Sequence, residues 1–230
     1  MQITKKTGYI LGILLLVETI TSGLATNMQG LNGIDPKTSG FLLELIKSTP
    51  KMHQSIYLDI LSGALAIVIA AFLYPGISKY NSKIALIYAG SAYVSFALIT
   101  LANILHLEML NAAELFSIGG GNDPEMFTPL IAVLFEGHQR LHFLMLILQG
   151  AGGIALNYFF YTTQLVKKWL AVWGMAASAI VLLGSTMQLL GIKASFFIFL
   201  HNGIFSIVIS LYLIFSGFQI STYKKSIAHM

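Results

Sequence analysis

The sequence contains no cysteine, which excludes disulfides, thiolate metal ligands and iron–sulfur clusters. Charge is almost as scarce. Only 10% of the 230 residues are Asp, Glu, Lys or Arg, against about 25% in soluble domains, too few to clothe a water-soluble surface. Arginine occurs once, at Arg140, beside twelve lysines. What remains is apolar: 56% of residues are hydrophobic and the mean hydropathy is +0.79. Stretches of about 20 apolar residues, enough to cross a hydrocarbon core of about 30 Å, recur along the whole chain. The expected class is all-α, a single polytopic transmembrane domain over residues 1–230 whose main partner is the lipid bilayer.

Six spans are predicted, at 8–28, 53–76, 83–106, 131–163, 169–190 and 195–220, each helical because lipid offers the backbone no hydrogen-bond partners. Threaded alternately, they put Lys5, Lys6, Lys79, Lys83, Lys167, Lys168, Lys224 and Lys225 on one side, in loops that hold no acid. Asp35, Glu44, Glu108, Glu114, Asp123 and Glu125 fall on the other, with Lys37, Lys47, Lys51 and Lys193. The positive-inside rule then makes both termini cytoplasmic, in the inner (cell) membrane. Trp169, Trp173, Tyr74, Tyr80, Tyr161 and Tyr223 mark the same interface as an aromatic belt does. The lysines are accounted for by topology and the anionic inner leaflet, so an isoelectric point near 9.2 calls for no nucleic acid. Lys5-Lys6, the apolar stretch from Tyr9 to Val17 and Ser22-Gly23-Leu24-Ala25 also resemble a cleavable signal peptide. Glu18 interrupts that pattern, and losing this helix would break the even span count, so the segment is read as a span.

Two outer connections are long. In 29–52, Phe41, Leu42, Leu45 and Ile46 at helical spacing predict a short amphipathic helix on the outer surface. The second connection, 110–130, contains Gly119-Gly120-Gly121-Asn122-Asp123-Pro124. No Gly-Lys-Ser/Thr follows, so it reads as a turn rather than a phosphate loop, and Asp123 with Glu125 lacks the pattern of a calcium loop. Phe72-Leu73-Tyr74 before Lys83-Ile84-Ala85 echoes Phe159-Phe160-Tyr161 before Lys168-Trp169-Leu170; duplication and a shared inner interface both produce such an echo.

Function must reside in the polar residues of the spans, because polar groups in hydrocarbon are costly and face the bundle interior or water. Glu18 lies near the middle of the first span and shares a face with Ser22, Ala25 and Gln29. Asp59, Ser62, Gly63, Ala66 and Ala70 line one stripe of the second span; Gly174, Ala177, Ser178, Ser185 and Gln188 line one of the fifth. Small residues so arranged permit close helix packing. In EGHQRLH, residues 136–142, the i,i+4 pair Glu136 and Arg140 predicts a surface ion pair, whereas His138 and His142 point the other way, toward Met145, Gln149 and Gly153. His106, His142 and His201 are expected at similar depth on three helices, with Asp59, Asn103, Gln188 and Asn202 nearby. Three readings stay open: hydrogen-bonded structural histidines, a zinc or haem site drawn from His106, His138, His142 and His201, or a ligand or proton path through Glu18, Asp59, Asn103, Gln149, Gln188 and Asn202. His138-Gln139-Arg140-Leu141-His142 lacks the glutamate of the zinc-peptidase helix.

The stretch from His142 through Gly150, Asn157-Tyr158, Tyr161 and Lys168-Trp169-Leu170-Ala171-Val172-Trp173-Gly174 resembles the bacterial six-span integral-membrane family catalogued as the domain of unknown function DUF4386. The order of spans matches, with a fifth helix entered through Leu170-x-x-x-Gly174. The hairpin departs from the family's usual aromatic-Leu-Pro, since Val166-Lys167-Lys168 has no proline. The resemblance implies six transmembrane helices and brings no activity with it. The leading functional expectation is binding of a small ligand or cofactor, metal or haem, in an outward-facing polar cavity containing histidine. A proton-coupled transporter using Glu18 and a structural or regulatory subunit are the alternatives.

Overall fold

The computed structural model describes residues 3–29, 35–119 and 124–220, with the side chains of Ser39, Pro124 and Phe196 left aside. The described residues form six α-helices and no strand: α1 (Lys5–Gln29), α2 (Ser39–Tyr80), α3 (Ser82–Ile118), α4 (Pro124–Thr163), α5 (Lys168–Leu189) and α6 (Phe196–Ser216). All six are long and apolar enough to cross a membrane. The protein is a multi-pass membrane protein.

Each helix packs on the next, and α1 closes the series against α6, so the bundle is a ring. Both ends of the described chain therefore lie on one face, the terminal face, shared with the hairpins at Asn81 and 164–167; the opposite face is called distal here. Asn81 turns the first hairpin tightly, its side chain accepting from the amides of Lys83 and Ile84 at 2.9 and 3.2 Å. The ring closes through Gly8-x-x-x-Gly12. A methyl group added to Gly12 would lie 2.8 Å from both the Ile214 amide nitrogen and the Ser210 carbonyl oxygen, so the α1 and α6 backbones touch where no side chain intervenes.

Two expectations about connections are corrected. The surface helix predicted in 29–52 is the first part of α2, which continues through Pro50 without a break. The 110–130 connection is mostly helix, with α3 ending at Ile118 and α4 beginning at Pro124; Gly120 to Asp123 lie outside the described residues, as do Tyr223, Lys224 and Lys225. At 1.5 Å per residue α2, α3 and α4, of 42, 37 and 40 residues, are about 63, 56 and 60 Å long, twice the hydrocarbon thickness. α1, α5 and α6, of 25, 22 and 21 residues, are about 38, 33 and 32 Å. The overshoot is held by its own core, in which Phe41, Leu45 and Met52 of α2 meet Met109 and Phe116 of α3 and Ile131 of α4. Burying those side chains, at about 1.5–3 kcal/mol each, offsets the hydrogen bond that Pro50 removes. The sixth span ends at Ser216 rather than at 220, because Gly217 adopts a left-handed φ of 63°.

A second core fills the terminal half of the ring. It draws on every helix: Leu11, Leu73, Ala85, Phe160, Leu170 and Leu213 are all inside it. Among the described residues nothing comparable joins all six helices in the distal half, where Ile99, Ala102 and Met145 form a local α3–α4 cluster.

Candidate functional site

The α1 face predicted from Glu18, Ala25 and Gln29 is the seam with α2. Ser62 Oγ donates to Glu18 Oε1 at 3.4 Å, Ser55 Oγ to the Ala25 carbonyl at 2.9 Å, and Gln29 Nε2 to Asp59 Oδ2 at 3.4 Å. Asn103 of α3 lies beside the Asp59 carboxylate, but both its amide atoms are buried without a well-formed partner.

The histidines divide. His106 on α3 and His138 on α4 stack face to face, ring centroids 3.6 Å apart and planes 16° from parallel, and His142 continues the column 6.1 Å from His138. His138 is buried, its Nδ1 3.0 Å from the Ala102 carbonyl, a contact that fixes its tautomer with the proton on Nδ1. Nδ1 of His106 and Nδ1 of His142 are buried without partners. His201 is not part of this column: its Nε2 accepts from Trp173 Nε1 at 3.0 Å, across the α5–α6 contact. The layer of His106, His142 and His201 is thus split between two helix pairs. Parallel rings direct their nitrogen lone pairs side by side rather than toward a common point, and among the described residues no three His, Cys, Asp or Glu side chains group to hold a metal ion.

Polar groups from three helices converge elsewhere, in a cavity of about 140 Å³ between α1, α4, α5 and α6. Gln149, Asn157, Ser178, Asn202 and Ser206 supply amides and hydroxyls to its wall; Leu15, Phe160 and Phe205 are among the apolar residues that complete it. No histidine and no charged residue lines it, so the expected His-containing cavity is not this one. Close packing brings the helices together around it. A methyl on Gly150 would lie 2.8 Å from Leu182 Cβ, and one on Gly153 or Gly174 would collide with Ser178 or Asn157. Asn157 is 4% exposed; its Nδ2 donates to the Gly153 carbonyl at 2.9 Å, while its Oδ1 is buried without a partner.

Of the six residues predicted for a ligand or proton path, Gln149 and Asn202 line this cavity, and Glu18, Asp59 and Asn103 lie on the α1–α2–α3 side. Gln188 instead donates to the Ala194 carbonyl at 3.1 Å and closes the α5–α6 connection. Asn157 and Ser206 were not singled out as site residues, though the pattern held them: the stripe Gln149–Gly153 reaches Asn157 after one more turn, and Asn202 reaches Ser206.

The Glu136–Arg140 pair forms as predicted, at 3.6 Å, and Lys37 adds a second contact to Glu136 at 3.7 Å. Their side chains are 45%, 72% and 70% exposed, where such pairs contribute about 0–1 kcal/mol. Glu136→Gln is therefore expected to shift the thermal melt of the purified protein marginally, and a large loss would show that this cluster organises the distal helices.

The model of the family described as a domain of unknown function, DUF4386, matches residues 10–217, and the chain belongs to that family. No curated protein and no solved structure matches.

Proposed function

We propose that this family member is a binding protein for a small uncharged polar molecule, held within the membrane in the cavity between α1, α4, α5 and α6. One observation carries the reading: the side chains of Gln149, Asn157 and Asn202 and those of Ser178 and Ser206 line one space inside the bundle. Amides and hydroxyls set in an apolar bundle are costly unless hydrogen-bonded, and a guest that carries donors and acceptors pairs with them. The space is roughly ten times what one ordered water needs. A wall free of charged side chains favours a neutral guest. The core that closes the terminal half of the ring argues for entry from the distal side. The lysine distribution argues that the distal side is extracytoplasmic and the membrane that of the cell.

Native mass spectrometry of the protein released from membranes tests this, followed by a thermal-shift screen of uncharged polar fragments. The expected result is a fragment that raises the melting temperature of the wild type and binds at least about tenfold more weakly to Asn157→Leu. Ser178→Ala and Ser206→Ala, which each remove one hydroxyl from the wall, should each weaken it less. Absence of any retained guest, together with a screen in which no fragment separates wild type from all three variants, would overturn the proposal and leave the cavity as a pocket of water.

Glu18 supports a second reading, proton-coupled movement of such a guest. It lies one turn distal to Leu15, which lines the cavity, and among the described residues Ser62 alone provides it a side-chain hydrogen bond. An acid within a span is costly unless it is used.

A further inference from the structure

We infer that the terminal face carries a second site, independent of the intramembrane cavity, which binds a phosphate group at the membrane surface between the ends of α1, α5 and α6. The charge distribution favours an anion on this face. None of the nine acids in the sequence lies within residues 1–17, 60–107 or 137–230, so no carboxylate accompanies the lysines of this face. Two of those lysines, Lys5 at the start of α1 and Lys167 just before α5, open into one recess of about 650 Å³ with the hydroxyls of Tyr212 and Ser216 and the amide of Gln219. Ammonium, hydroxyl and amide groups around one recess are the donors that a phosphate's oxygens accept from.

The recess is built, not merely a gap between flexible lysines. Gln219 Nε2 donates to the Tyr212 hydroxyl at 2.9 Å, and the Gln219 backbone amide donates to the Leu165 carbonyl at 2.8 Å. A backbone hydrogen bond ties Tyr212 to Lys167 as well. The segment after α6 is thereby fastened to the α4–α5 hairpin, whose Gln164 holds a left-handed φ of 54° to make the turn. Opposite it, Gly217 packs against Lys5: a methyl there would lie 2.7 Å from both the Lys5 carbonyl oxygen and Lys5 Cγ. The Lys5 ammonium stands 5.8 Å from the centre of the Tyr9 ring. Phe218 and Ile220 add apolar surface to the same recess, where a phospholipid's glycerol and first methylenes find contact. Basic pockets between helices at the cytoplasmic surface suit anionic headgroups in this way.

The experiment uses the full chain, purified in mild detergent. Phosphatidylglycerol, phosphatidylcholine and inorganic phosphate are added separately, with bound lipid counted by native mass spectrometry and stability followed by thermal melting. Lys5→Gln/Lys167→Gln is compared with Lys79→Gln/Lys83→Gln, which removes the same charge from exposed positions elsewhere on the face. Phosphatidylglycerol is expected to be retained by the wild type and by Lys79→Gln/Lys83→Gln, and to bind Lys5→Gln/Lys167→Gln about thirtyfold more weakly. Competition by millimolar inorganic phosphate, with matching stabilisation, would assign the site to a soluble phosphate; stabilisation by phosphatidylglycerol alone assigns it to a headgroup. Equal loss in both double variants, or loss in neither, overturns the site, because diffuse attraction to the face then accounts for all binding.

Discussion

Gly12→Leu is expected to abolish most of the folded protein, whereas Gly23→Leu, in the same helix, is expected to leave yield and melting temperature unchanged. Both place the same apolar side chain in the same span, so insertion into the membrane cannot separate them. What differs is the neighbour. A Cβ on Gly12 meets the Ile214 amide nitrogen, the Ser210 carbonyl oxygen and Leu213 Cβ at 2.8 to 2.9 Å; around Gly23 there is nothing within 4 Å. Two of the three obstructing atoms at Gly12 are backbone, which has no alternative rotamer, so α1 must move off α6. Overpacking costs about 1–3 kcal/mol when side chains can give way, and more is expected here because they cannot. Separating α1 from α6 also opens the ring, leaving only the packing of Lys5 and Gly8 on Gly217 and Phe218 to close it among the described residues. Size-exclusion profiles of fluorescently tagged variants, with thermal melts, check the pair. Equal behaviour of the two would mean that α1 is a peripheral helix and the ring is not closed in the folded protein.

The number of helices, their order and the seam between α1 and α2 were legible because hydrophobic run length and residue period are physical requirements of a helix in lipid. Of Glu18, Ser22, Ala25 and Gln29, which share a face on a helical wheel, Glu18 and Gln29 meet Ser62 and Asp59 of the predicted α2 stripe, while the Ala25 carbonyl accepts from Ser55, one turn before that stripe and not among the residues predicted. The distal extensions were less legible. Lys47 to Lys51 with Pro50 reads as a break, and only the packing of Phe41, Leu45 and Met52 on α3 and α4 shows why the helix runs on. Burial of those side chains is large enough to override the penalty of the hydrogen bond that Pro50 removes. The site was least legible, since a residue count along a span fixes neither the tilt of the helix nor its azimuth. His106, His142 and His201 are expected in one layer, yet His201 meets Trp173, the sixth residue of α5 from the terminal face, while His106, the 25th residue of α3 from that face, stacks on His138. Asn157 carries part of the family resemblance, but its place in the site depends on Gly153 and Gly174, which let α4 and α5 close around it.

Glu18→Leu is expected to make the protein more stable while removing any proton-coupled activity. On the scale for insertion into the membrane, an acid at the middle of a helix costs about 2.5–3.5 kcal/mol and a leucine returns about 0.3–0.6, a swing of about 3 kcal/mol in favour of the variant. Against this stands one hydrogen bond, from Ser62 at 3.4 Å, long enough to be weak. Nor is an ion pair lost, for Glu18 has none within 4 Å among the described residues. Leucine leaves the Ser62 hydroxyl free to return to its own helix backbone, as Thr100, Thr186 and Ser210 do. Glu18→Gln separates shape from ionisation: it keeps a carbonyl for Ser62 and cannot carry a proton. In liposomes loaded with a pH-sensitive dye, ligand-driven proton movement should vanish in both variants, while binding of the same ligand at the Asn157 cavity persists within a few fold. A destabilised Glu18→Leu would show instead that the carboxylate is structural, and proton flux surviving in Glu18→Gln would remove the coupling role outright. A carboxylic acid that costs stability where it stands is retained for a reason other than packing.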